Sequence, residues 1–72
     1  MKFTFDPTVQ ALYIEMKSGE VARTVEMQKD VYVDLDSDSN VLGVEMLDLR
    51  SMLGSSQETV ELNIPERLVA AG

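Results

Sequence analysis

Carboxylates are the side chains of this sequence best placed, by number and spacing, to do chemistry. Asp34, Asp36, Asp38, Asn40 and Glu45 put oxygen donors at the first, third, fifth, seventh and twelfth places of a twelve-residue stretch, the spacing with which an EF-hand loop surrounds calcium. The context of that motif is missing. Its sixth place, where the sharp turn needs glycine, is Ser39, and the flanking residues alternate with a strand period where the motif needs helices. Strand alternation by itself puts Asp34 and Asp36 on one face. A calcium-binding module using these five residues is therefore an alternative reading, with affinity in the millimolar range because the cage is not preformed. No other cofactor is suggested.

The same carboxylates bear on catalysis. Asp34, Asp36, Glu45 and Glu61 could supply an acid and a base, but such a pair works only in a pocket that drives the two pKa values apart, and a sheet face on a short chain offers little concavity. Histidine and cysteine are absent, so the usual general base and the thiolate nucleophile are missing, and Ser18, Ser51, Ser55 and Ser56 have no histidine to activate them. Gly19, Gly43 and Gly54 are isolated and form no phosphate cradle. The balance is against an enzyme, with a small carboxylate-based hydrolase as the remaining catalytic alternative.

Thirteen acidic residues against six basic ones give a net charge of −7. That charge repels a nucleic-acid backbone and suits either plain solubility or a basic protein partner. Protein recognition through the sheet is the expectation, with Tyr13, Arg23 and Tyr32 as candidate interaction residues. Met16, Met27, Met46 and Met52 could add an adaptable contact surface, although core filling is their commoner role.

The elements that must hold these side chains follow from period-two patterning. Residues 30–48 are the organising segment: Val31, Val33 and Leu35 alternate with Tyr32, Asp34 and Asp36, and Leu42, Val44 and Met46 alternate with Gly43, Glu45 and Leu47. Ser37, Asp38, Ser39 and Asn40 form the turn of this hairpin. Upstream, residues 2–6 alternate around Phe3 and Phe5 until Pro7 ends the strand, and residues 11–16 alternate around Leu12, Ile14 and Met16. Gly19 predicts a turn that returns residues 21–27 antiparallel beside the preceding strand, with Arg23 the one discordant residue on its apolar side. A helical turn or two is expected after Leu47, with Asp48 as cap and Gly54 as stop. Residues 58–64 return to alternation around Val60, Leu62 and Ile64, and Pro65 opens a C-terminal turn or short helix.

The expected architecture is mainly β with minor helix: one domain over residues 1–72, an antiparallel β-meander of about five strands, a short helical crossing and a C-terminal turn or helix. So short a chain buries a small core, so homodimerisation is expected to add stability. No apolar run reaches membrane-spanning length and the N-terminus reads as a strand, so a cytoplasmic location is the default expectation.

Four blocks also resemble a known family. Phe5-Asp6-Pro7, Ala11-Leu12-Tyr13-Ile14, Val33-Asp34-Leu35-Asp36 and Gly43-Val44-Glu45 with Leu47-Asp48 are similar, in order and spacing, to the prokaryotic domain of unknown function 2283. The likeness covers about the first two thirds of the chain. Family members typically have tyrosine where this chain has Phe5, and aspartate and glycine in place of Gln10 and Ser39. Serine in that turn implies either another turn type or a left-handed Asn40. The resemblance implies no catalytic residue. It implies a small stand-alone domain, with an antitoxin-like role that neutralises a basic partner as the functional expectation.

Overall fold

The computed structural model describes residues 1–53 and 59–69. Five strands form one sheet: β1 (Lys2–Asp6), β2 (Ala11–Glu15), β3 (Arg23–Gln28), β4 (Val31–Leu35) and β5 (Val41–Met46). The short helix α1 (Leu49–Leu53) follows. Every neighbouring pair is antiparallel and the spatial order is β1-β2-β5-β4-β3.

This order corrects the meander expectation at one connection. The strand after Gly19 does not return beside β2; β5 takes that place, pairing Leu12 with Met46 and Ile14 with Val44. The segment between β2 and β3 instead crosses the ends of β5 and β4. It is held by the Met16 and Lys17 amides, which donate to the Leu42 carbonyl at 2.8 and 3.0 Å, and by the Ala22 amide, which donates to Leu35 at 2.8 Å. Leu42 is the extra residue of a bulge where the β4–β5 register shifts, and it is buried. A Cβ at Gly19 would lie 2.9 Å from Leu42 Cδ2, so glycine serves here by letting the crossing backbone lie close to that side chain.

Alternation sorts the sheet into two faces. Val31, Val33, Leu35, Val41, Val44 and Met46 form the buried core, with Leu12, Ile14, Val25 and Met27 beside them on the same face. Helix α1 and the stretch 60–68 cover this face through Leu49, Met52, Leu62, Ile64 and Leu68. Asp48 precedes α1 in the left-handed conformation, with φ of 51°, and its carboxylate accepts a 2.6 Å hydrogen bond from Ser51 Oγ, a side-chain contact and not the backbone cap expected of it. Gly54, the expected stop, lies outside the described residues.

The expected strand over residues 58–64 is not realised. Glu58 lies outside the described residues. Residues 59–64 keep the alternation, with Val60, Leu62 and Ile64 half-buried and Thr59, Glu61 and Asn63 exposed, but they pair with no strand. Residues 65–69 are not helical; Arg67 makes an antiparallel bridge to Asn40. Among the described residues, no helix is long and apolar enough to cross a membrane.

Candidate protein-binding site

The acidic turn is a self-closing clasp. Asp36 Oδ1 accepts the amides of Asp38 and Asn40, both at 2.9 Å, and Oδ2 accepts Asn40 Nδ2 at 3.0 Å. These bonds, the one from the Asn40 side chain foremost, hold the Asp36 carboxyl below its ordinary pKa. Ser39 itself takes the left-handed conformation, with φ of 67°. That corrects the expectation that the turn would change type or move this conformation to Asn40. The strain is offset by what the turn holds: Ser39 Oγ accepts Arg23 Nη2 at 2.8 Å, and the Ser39 carbonyl accepts the Leu68 amide at 2.9 Å. Arg67 donates to the Asp38 carbonyl through Nη2 at 2.7 Å and Nε at 3.2 Å.

Arg23 thus turns its guanidinium to the Ser39 hydroxyl and sits 3.5 Å from the Leu68 carbonyl. It belongs to the clasp that fastens the C-terminal stretch. Nothing in the alternation of β3 signalled this, because its two partners come from other segments.

Asp34 is used differently. On the polar face, Tyr13 of β2 reaches over β5 and donates through its hydroxyl to Asp34 Oδ2 at 2.8 Å, while Thr24 of β3 donates to Asp34 Oδ1 at 2.6 Å. Four strands are tied in one row. Gly43 makes the row possible, since a Cβ there would collide with the Tyr13 hydroxyl and come within 3.0 Å of the Ile14 carbonyl. Partial burial, then the hydrogen bond to Asp34, pushes the Tyr13 phenol up to about 12 from 10.0. Tyr13, a candidate interaction residue in the sequence, is the centre of a network within the sheet. In the adjoining row Tyr32 donates to Glu26 Oε2 at 3.0 Å, and this bond is the main cause of its raised phenol pKa.

The five residues read as a calcium loop do not converge. Asp34 faces Tyr13 and Thr24, Asp36 closes its own turn with Asn40, and Glu45 stands in the row between Tyr13 and Tyr32. Among the described residues, no three carboxylates are placed to hold a metal ion. Nor do Asp34, Asp36, Glu45 and Glu61 gather in a pocket: two sit on the polar face, one in the turn and one exposed on the covering stretch.

The concave feature of interest is on the other face. Between the sheet and its cover lies a cavity of about 490 Å³ lined by Met1, Leu12, Ile14, Met16, Val44, Met46, Leu49, Leu53, Val60, Leu62 and Ile64. Among the described residues its lining carries no carboxylate and no hydroxyl. Met16 stands 41% exposed at its rim. Next to it β1 lays Phe3 and Phe5 on the same face as Ile14 and Leu12, their register partners, and leaves them 61% and 46% exposed. The alternation in the sequence places Leu12, Ile14, Met16, Val60, Leu62 and Ile64 inward but assigns no face to Met1, Leu49 or Leu53. The described part of the cover leaves the β1–β2 side of this face exposed at Phe3, Phe5 and Met16.

The profile of the family described as "Protein of unknown function (DUF2283)" matches residues 2–50, which hold all five strands. No curated protein and no solved structure matches the chain.

Proposed function

We propose that this chain, which belongs to the DUF2283 family of proteins of unknown function, is a protein-interaction module that receives an apolar segment of its partner in the cavity between β2 and α1. The open apolar cavity is the observation that carries the reading. Apolar surface of this kind is costly to leave in water, and at about 25 cal/mol per Å² its burial by a partner is the main driving force available. Polar chemistry elsewhere is already spent: the Tyr13, Asp34 and Thr24 groups satisfy one another, and Asp36 satisfies its own turn.

The net charge of −7 selects the partner. A basic protein is attracted to the rim and an acidic one is repelled, which is the arrangement an antitoxin-like neutralising role requires. Affinity then comes from the apolar contact and partner choice from charge.

Affinity capture tests this with two variants. Met16→Glu places a charge at the cavity rim, whereas Glu15→Gln changes the opposite face. The reading expects one stoichiometric basic protein on the wild type and on Glu15→Gln, and its loss on Met16→Glu with the fold intact by circular dichroism. Retention of the same protein by Met16→Glu, or the absence of any stoichiometric protein, overturns it.

A further inference from the structure

The strand β1 is exposed along its whole length and, among the described residues, pairs on one side only, with β2, in a regular register from Lys2 to Asp6. The opposite edge, β3, is interrupted by a bulge between Glu26 and Gln28, a device that hinders edge-to-edge pairing; β1 has none. Its sequence, Lys2-Phe3-Thr4-Phe5-Asp6, reads the same in chemical type from both ends except that the charge changes sign.

We propose that β1 pairs antiparallel with β1 of a second copy of this chain about a two-fold axis at Thr4. In that register Lys2 stands opposite Asp6 of the second copy, Phe3 opposite Phe5, and Thr4 opposite Thr4, and each unlike pair occurs twice. Every cross-strand pair is then a favourable one: opposite charges, aromatic on aromatic, hydroxyl on hydroxyl. Slipping the register by one residue would set phenylalanines against charges and put the apolar faces of the two sheets on opposite sides. Asp6 is exposed and held in place for this contact, its Oδ1 accepting the Thr8 amide and hydroxyl. Lys2 then sits between its own sheet neighbour Glu15 and the second copy's aspartate. The pairing covers Phe3 and Phe5, satisfies the free backbone groups of the edge, and joins two five-stranded sheets into one with a continuous apolar face. It rests on β1 alone, so it stands whether or not the neighbouring cavity receives a partner.

The test uses the full chain without any partner. Sedimentation over a concentration series should show the mass rising from 8.0 kDa towards twice that value. Lys2→Glu, which sets acid against acid twice, should weaken association about tenfold. Because the chain has no cysteine, a single introduced one reports the register. Thr4→Cys should oxidise to a covalent dimer; Lys2→Cys should not, since the two copies of residue 2 lie about 13 Å apart along the strands, beyond disulfide reach. A monomer at every concentration, association unchanged by Lys2→Glu, or equal cross-linking of the two cysteine variants would overturn the proposal.

Discussion

Gly43 is the residue on which the polar face depends. The Tyr13 side chain occupies the space over its Cα on the way to Asp34, so a methyl group there must displace either the phenol or β2. Gly43→Ala should cost about 2 kcal/mol in chemical denaturation, the usual range for forced overpacking. Part of that cost should be absent in a Tyr13→Ala background, and equal costs in the two backgrounds would show that the tyrosine is not the obstacle. The phenol also makes stability depend on pH. Its pKa is higher in the folded chain, at about 12 against 10.0, so the contribution is fully present below 10 and is lost as pH rises through about 12. Stability measured across that window should fall more in the wild type than in Tyr13→Phe. The spacing of these residues in the chain gave no hint of the row, because Tyr13, Asp34 and Thr24 meet only through the strand order.

At the scale of elements, the alternation of residues 2–6, 11–16, 31–35 and 42–46 is enough to place four strands and to sort their faces, since a half-buried sheet imposes its period directly on the sequence, whereas the bulge that brings Val41 into the core is not legible in it. The strand order was not legible in the same way. Residues 16–22 can make a hairpin connection, but when extended they can also span the roughly 14 Å from β2 across β5 and β4 to β3, and nothing local distinguishes the two. Residues 59–64 illustrate a second limit. An extended segment laid over an apolar face alternates just as a strand does, so Val60, Leu62 and Ile64 were correctly read as inward while the ladder inferred from them does not exist. What fixes that stretch is the clasp at the acidic turn. Arg67→Ala removes two hydrogen bonds to the Asp38 carbonyl and should destabilise the chain by about 1 kcal/mol. Hydrogen exchange should quicken at the Val41 and Leu68 amides, whose acceptors are Glu66 and Ser39, more than at amides in the β2–β5 ladder. Uniform acceleration throughout the sheet would contradict a clasp role.

The molecule is a plate of 38 × 25 × 17 Å, one sheet whose described cover leaves Phe3, Phe5 and Met16 exposed. That geometry links its stability to its proposed function. A chain of 72 residues buries a small core and keeps a thin margin, while the apolar face left open at the β1–β2 side is where further burial can be gained. In the proposed role the acidic residues would act at longer range, favouring basic proteins that approach that face, while the segment that resembles a metal loop holds the cover in place. In the proposed role, recognition occurs at the apolar cavity and not on the acidic face. The most direct test is to map amide and methyl chemical-shift changes on the isotope-labelled chain when the captured protein is added. Binding at the cavity should move Leu12, Ile14, Met16, Leu49 and Leu62; changes confined to Glu15, Glu26, Tyr32 and Glu45 would overturn it.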